Sequence, residues 1–527
     1  MSPSAFDVIV IGAGANGLVA ASRLAQAGRR VLVVERSAAA GGQGRVITFA
    51  PGFSAAPLRL DPGWMPPKIA SALGLEGLAT IEGDVPFSVL VEPGKFLTVP
   101  NDPGRAAAAI GEHARGDAAK WPEFTGMIRS LAGFLAEIYQ LPAPDVDIRS
   151  FREALPLLGL GRKYRSLGRR NMIEFLRTLP LSVWELADDW FDFKSLKAAI
   201  AAGGIQNVRQ GPRSGGTGFV LLHHLVGAKA GALRGRAPWR RGPGAFTESA
   251  IQASQRRGVV LRFDAEVTRI QVRNDAAGGV VLASGEEIPA KRVLSTANPA
   301  ETFLEWVDPV WLDPEFVRAL SNVRHRGCTA IVAYALDALP EFSGLSKDAL
   351  LGTVSLTPDI ETLERAADAA KYGAVSGRPH VEITIPTLLW PDLAPQGKHV
   401  AVARLQYAPY RLKSGTWDAP LRDALAQMAT AAIEELAPGF RSRILHQTAW
   451  SPRDLEEQFG LREGASSQGE LALDQILFMR PVAGWGKHAT PIDGLYLGGG
   501  GTHPGPGILG GAGWLAAARM LGDRLSS

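Results

Sequence analysis

Apolar positions follow three rhythms along the chain. Phe6 to Ile11 and Val31 to Val34 are unbroken, largely β-branched runs, the pattern of parallel strands buried on both faces. Between them, "GANGLVAASRLAQAG" has helical spacing, small residues at Ala20, Ala21 and Ala25, and Gly28 where a C-cap belongs. Residues 105 to 200 carry mostly helical patterning. Residues 258 to 272 read as two short strands, and 278 to 299 continue as a hairpin pattern. Further on, 328 to 336, 380 to 386 and 399 to 407 alternate or run apolar as strands. Residues 418 to 436 predict a helix with Asp418 as N-cap and Pro420 in its first turn. The order predicts an α/β protein, a Rossmann-type domain with a mixed-sheet and helical substrate domain inserted into it. A ligand cleft is expected between the two.

Chemistry enters at the glycines. Gly12, Gly14 and Gly17 form GxGxxG where the first strand turns into the helix. Gly12 permits the tight turn, Gly14 leaves bare backbone for a pyrophosphate, and Gly17 allows close helix–strand packing. Glu35 ends the second strand, where a carboxylate accepts hydrogen bonds from ribose hydroxyls and repels a 2′-phosphate. A second glycine loop, Gly41, Gly42 and Gly44 followed by Arg45, comes too soon for a second nucleotide fold. It suits the far side of a larger dinucleotide such as FAD, with Arg45 as counter-charge. Near the other end, "GLYLGGGGTHPGPGILGG" places a glycine loop between a strand-like run and an apolar helix. If that run is the last strand of the nucleotide domain, the loop from Gly500 to Gly507 passes beneath an isoalloxazine. The helix starting near Gly510 to Gly513 then aims its positive end at the ring.

Composition narrows the function classes. Hydrophobic residues make up 46% of the 527 and charged residues 20%, a globular balance. With 56 basic and 52 acidic residues the formal charge is only +4, so nucleic acid is not an expected partner. One cysteine, Cys328, permits no intramolecular disulfide or dithiol redox pair and suggests a reducing compartment. The opening MSPSAF enters a strand at once, which predicts no leader, and no apolar run reaches the roughly 18 residues of a membrane span. A cytoplasmic location follows as the expectation. Residues 159 to 179 qualify it: Arg162, Lys163, Arg165, Arg169, Arg170 and Arg177 stand among apolar residues, as in a basic amphipathic helix resting on an anionic bilayer. No metal site is expected.

Together, Gly12 to Gly17, Glu35, the Gly41-Gly42 loop with Arg45, and "PIDGLYLGGGGTHPGPG" resemble the phytoene desaturase-related FAD oxidoreductases. More narrowly they resemble the pyridine nucleotide-disulphide oxidoreductase domain-containing branch, which needs no disulphide. Similarity continues through 211 to 227, 293 to 309 and 469 to 485. The resemblance implies an amine oxidase-like FAD fold in alternating segments: FAD-binding 1–75, 241–300 and 480–527, with substrate-domain segments 76–240, mainly helical, and 301–479, mixed-sheet. It also implies FAD contacts at Gly12, Gly14, Ala15, Asn16, Gly17, Glu35, Arg36, Gly41, Gly42, Gly44, Arg45, Gly500, Gly501, Thr502, His503, Pro504 and Gly511, with the backbone at Val267 clamping the adenine. Where many relatives have a histidine this chain has Gln468, and where an Arg-Asn pair is usual it has Trp514 and Leu515. These departures bear on substrate more than on cofactor.

The reaction expected is a desaturase-type or dehydrogenase-type oxidation of an apolar, isoprenoid-like molecule, with hydride passing to flavin N5. Without a second GxGxxG on another strand there is no visible NAD(P) domain, so oxygen, a quinone or another organic acceptor should take the electrons. His503 is the weak candidate for acid–base work; a loop staple is an equal reading. His223 and His224 read as packed or capped. Rival readings are a reduced-FAD isomerase or saturase, an amine oxidase, and a non-catalytic prenyl-binding protein like the GDP-dissociation inhibitors. The oligomeric state is unknown.

Overall fold

Continuous apolar runs become the middle of a parallel sheet. In the computed structural model, which describes residues 6–58, 63–75, 78–144, 151–229, 231–234 and 238–522, the order is Val260–Arg262, Val31–Val34, Phe6–Ile11, Glu287–Ser295 and Leu495–Leu497. Residues 1–5, which hold most of the MSPSAF opening, lie outside the described residues. Period-2 geometry sends Val8 and Val10 to one face and Ile9 and Ile11 to the other, and both faces are covered. The first half of Glu287–Ser295 leaves the parallel sheet to pair antiparallel with Ala276–Leu282, which in turn pairs with Val267–Arg273.

Two helices, 485 residues apart at their nearest ends in sequence, seal one face. They are Ala15–Gln26 and Gly511–Gly522. A Cβ added to Gly513 would fall inside the radius of the Asn16 carbonyl oxygen, and one on Gly510 would strike Val19. Only glycine lets the helices approach so closely. Arg23 locks the crossing by donating to the Trp514 carbonyl at 2.5 Å, its guanidinium 3.7 Å from the Trp514 ring centre.

A second seven-stranded sheet runs Ile444–Trp450, Thr329–Leu336, His399–Gln406, His380–Thr384, Thr353–Ser355, Phe87–Glu92 and Lys95–Val99. Its alternation decides which residues meet a ligand. Val381, Ile383, Ala403 and Leu405 enter a core shared with the helix Ala419–Glu434, which Asp418 caps by accepting from the Leu421 N–H. On the opposite parity stand His380, Glu382 and Thr384. Helices between residues 103 and 225 pack into the largest apolar cluster, around Trp121, Phe191 and Leu222.

The division between nucleotide and substrate parts departs from the expected boundaries in two places, and one substrate segment holds strands as well as helices. Phe87–Glu92 and Lys95–Val99, inside the segment read as mainly helical, pair with each other and join the second sheet through Thr353–Ser355. Ile47–Ala50 and Phe53–Ala55 form a hairpin whose Phe53 and Ala55 pack on Ile331, Ala333 and Val400, away from the nucleotide sheet. Phe303, Phe316 and Leu320, beyond residue 300, cover Ile9, Leu32 and Val293 of the nucleotide sheet. In each case the chain buries its apolar face on the nearest open sheet.

The expected single basic helix at 159 to 179 is two helices, Phe151–Ser166 and Gly168–Thr178, because Gly168 adopts a left-handed φ of 77°. Lys163, Arg170 and Arg177 are engaged by Glu137, Glu123 and Asp189, so half of its six cations are paired within the protein. Leu158, Ile173 and Leu176 remain exposed. Among the described residues, no helix is long and apolar enough to cross a membrane.

Gly513→Ala tests the helix crossing. Alanine would add about 1 kcal/mol of helix propensity, but overpacking costs about 1–3 kcal/mol. Because the obstacle is main chain, the second effect should win, and urea denaturation followed by far-UV circular dichroism should show a net loss of stability.

Candidate functional site

The nucleotide cradle is built from main chain. Gly12 turns with a φ of 98°, and its N–H donates to the Val34 carbonyl at 2.8 Å. A Cβ on Gly17 would sit within the Gly12 carbonyl oxygen, so the helix can leave the strand this tightly only with glycine there. Gly14 differs. Its backbone is extended, a Cβ on it meets nothing within 4 Å, and it lines the cavity with Ala15 and Asn16. No side chain caps the helix that begins at Ala15, so its first N–H groups are left for a ligand.

The second glycine loop closes over the first. Gly41 donates its N–H to the Ala13 carbonyl at 3.0 Å, and a Cβ on Gly42 would lie 3.4 Å from the Gly14 Cα. Glu35 Oε2 accepts from the Ala13 N–H at 2.8 Å, while Oε1 accepts from the Ser37 N–H at 3.0 Å. Its carboxylate is thereby pinned at the strand end, facing the cavity. Arg36, Gly44 and Arg45 line the same space, as does Val267, the first residue of its strand. Arg45 Nη2 donates to the Gln458 carbonyl and the guanidinium lies over Phe459, yet its buried Nε has no partner. Glu301 also lines the cavity; burial pushes its carboxyl up to about 7, with Arg36 pulling the other way.

Only part of the C-terminal loop reaches this space. Gly500 and Gly505 through Leu509 line the cavity, whereas Gly501, Thr502, His503, Pro504 and Gly511 do not. The structure sets these five, and Gly17, back from the cradle, against the cofactor contact expected of them. Gly501 is pressed against Pro299, and Thr502 turns its hydroxyl back to the Gly499 carbonyl at 2.8 Å. Gly511 packs on Ile508, as does Pro504 on Gly511. His503 is buried with Nε2 bonded to the Leu141 carbonyl at 2.9 Å and its ring beside Tyr139. It is a loop staple, facing the helical layer and not the cradle. Burial holds its pKa down to about 4.

His223 has a comparable structural role. Its Nε2 contacts the Pro506 carbonyl at 2.9 Å and its Nδ1 the Tyr139 hydroxyl at 2.6 Å, so an Nε2–H tautomer satisfies both and holds the loop in place. Arg480, which sequence reading overlooked, is fully buried and donates to the carbonyls of Ser467, Gly469, Gln475 and Gly500. Burial lowers it to about 10, which leaves it charged at neutral pH. Gln468 accepts from the Gly501 N–H at 3.0 Å and lines the cradle; Trp514 meets Arg23 at the helix crossing and Leu515 is buried on the same helix, and neither borders the cradle or the second cavity.

A second cavity shares Gln43, Pro238, Trp390, Ser466, Pro506 and Gly507 with the cradle. Each encloses about 1,610–1,620 Å³ of empty space, open mouth included. Gln43 Nε2 donates to the Ser466 carbonyl at 2.7 Å and Trp390 Nε1 to the Trp239 carbonyl at 2.9 Å, fixing two sides of the junction. Beyond it, Leu58, Leu351, Ile385, Leu389 and Leu471 form apolar walls. Polar residues interrupt them: Arg234 donates to Glu382 Oε1 at 2.8 Å, with both side chains about nine-tenths buried. Burial raises the Glu382 carboxyl, but Arg234 and His380 outweigh it and hold the group well below the usual range. His224 borders this cavity rather than the cradle. Among the described residues, no group of three or more metal-ligating side chains is present.

With this geometry in view, the sequence profile described as "Flavin containing amine oxidoreductase" matches residues 16–521. The pyridine nucleotide-disulfide oxidoreductase domain-containing protein 2 of Rattus norvegicus is 32% identical over 549 residues, covering 98% of this chain and 94% of the relative. A phytoene desaturase of Fusarium fujikuroi is 25% identical, covering 96% and 87%. The solved structure of wild-type putrescine oxidase bound to putrescine is similar with a TM-score of 0.59 at 16% identity, covering 98% and 99%.

The buried histidines predict acid sensitivity. Burial lowers His325 to about 4, His488 to about 3 and His503 to about 4. An unfolded histidine binds its proton near pH 6.5, so as pH falls from there to about 4 the unfolded chain takes up protons that the folded one refuses. Urea midpoints should fall across that window, and less steeply in His503→Gln.

Proposed function

This chain belongs to the flavin-containing amine oxidoreductase family, and from that premise we propose that it is an FAD-dependent dehydrogenase of the desaturase type acting on an apolar, isoprenoid-like substrate. The cradle supports FAD as the particular flavin. A side chain at Gly14 would occupy the very space the two glycine loops leave, the helix N-terminus is uncapped, and Arg45 Nε is buried without a partner. Gly12, Gly14, Ala15, Asn16, Gly41, Gly42 and Arg45 would hold the pyrophosphate region, and Glu35 a ribose. The observation that carries the reading is the shared wall: a dinucleotide-sized cradle of bare backbone opens beside a second cavity with apolar sides.

When bound, FAD supplies hydride acceptance at N5. The protein supplies position and exclusion of water. Gln43 and Trp390, each held by a backbone hydrogen bond, shape the junction where substrate and cofactor spaces meet. Leu58, Ile385, Leu389 and Leu471 desolvate an apolar substrate. His503 faces away, so the protein offers no acid or base from that residue, and a substrate proton must leave through other groups or solvent.

Oxygen, a quinone or another organic molecule is the electron acceptor in this proposal. A reducing, cytoplasmic setting belongs to it as well, with peripheral contact at an anionic membrane through residues 159 to 179. The desaturase named among the relatives supports the substrate class through its own name alone.

An absorbance spectrum of the purified protein tests the cofactor; a protein that stays colourless after addition of FAD would defeat the proposal. Gly14→Leu should fold normally by circular dichroism yet lose flavin absorbance, because its Cβ would meet no protein atom within 4 Å and the side chain would occupy the cradle. Glu35→Ala should weaken FAD binding by about ten- to a hundredfold, as expected for loss of a charge-assisted hydrogen bond. In anaerobic titration, bleaching by an apolar C–H donor supports dehydrogenation, whereas turnover only after prior reduction indicates an isomerase or saturase.

A further inference from the structure

A third cavity lies within the helical layer. It takes in about 870 Å³ of space, open mouth included. Its long wall is a face of the helix Arg115–Tyr139, on which Trp121, Phe124, Ile128, Ala132 and Ala136 recur at spacings of three and four. From Trp121 to Ala136 that face extends about 22 Å. Leu221 and Leu225 of the helix Thr217–Leu225 form part of the facing wall. Apolar residues line that whole length, so an alkyl chain finds hydrocarbon contact for about 10–12 Å on either side of Arg129, which stands near its middle.

Charge lies only at the edge. Among the described residues lining this cavity there is no carboxylate, and its two cations, Arg129 and Lys229, are both exposed. Arg129 pairs with no carboxylate among the described residues, and the Lys229 ammonium donates to the Gly83 carbonyl at 3.1 Å. Hydrocarbon inside and positive charge at the mouth complement a molecule with an apolar chain and an anionic head. A cationic or uncharged head would leave that rim without a counter-charge.

We infer that this cavity binds a single-chain anionic amphiphile of the long-chain carboxylate class, its chain along the Arg115–Tyr139 helix and its head at Arg129 and Lys229. The site is separate from the cradle. It borders the second cavity at Lys229, and its occupation does not depend on the redox reading.

Calorimetric titration of the full-length protein with decanoate, dodecanoate and tetradecanoate, each below its micellar concentration, tests the inference. One site should appear, tightening about three- to fourfold per added methylene. Dodecyltrimethylammonium should bind at least tenfold more weakly than dodecanoate. Gly133 lines the cavity, and a Cβ there meets nothing within 4 Å, so Gly133→Phe should abolish binding with an unchanged circular dichroism spectrum. Arg129→Glu, a surface change that spares the core, should cost at least tenfold and decides the matter if Gly133→Phe unfolds. Absence of binding, equal affinity for the cationic amphiphile, or dodecanoate affinity untouched by Arg129→Glu would overturn the inference. Flavin content is read in the same samples, so failure here is distinguishable from failure of the proposed redox function.

Discussion

One hydrogen bond organises the cradle: the Gly41 N–H donates to the Ala13 carbonyl and joins the two glycine loops. It is possible only because neither loop has side chains between them. Glu35 reinforces the same point by accepting from the Ala13 N–H, so one residue is held through the peptide groups on both its sides and the end of the second strand is fixed relative to the first. The closeness extends outward through Gly17 on Gly12 and Gly513 on Asn16. Close main-chain approach thus links the start of the chain to its end.

The parallel sheet needs that link, since its adjacent strands come from the first 35 residues, from the segment around residue 290 and from residues 495 to 497. Substrate-side elements fill the intervals and return to pack on whichever sheet face is open. Such an arrangement explains why the cradle and the second cavity share walls from distant parts of the chain: Gln43, Trp390, Ser466 and Pro506 become neighbours only after both sheets have formed.

Much of the cradle was legible because its chemistry is local. GxGxxG, the acid at the second strand's end and the following glycine loop need only strand and helix periodicity to be placed, and the strand runs were read nearly to their ends. The C-terminal loop was legible as a loop but not residue by residue. Sequence cannot say which peptides of Gly500 to Gly511 face the cavity, and His503 turned toward Leu141, a contact across 362 positions. Glu382 and Arg234 were missed for a similar reason. Alternation in "HVEIT" separates two faces, but nothing local says that the polar face borders a ligand space and that an arginine 148 positions away comes to meet it.

Arg480 carries a consequence of a different kind. Its guanidinium is buried among carbonyl oxygens, with no carboxylate among the described residues to neutralise it, and it reaches the Gly500 carbonyl at the edge of the cradle. Dipoles solvate such a charge without cancelling it, so its field extends through a medium that screens poorly. Any electron-rich species in that space is favoured over its electron-poor counterpart. The fold therefore carries a fixed electrostatic bias at the edge of this space, set by a residue that need not touch whatever occupies it.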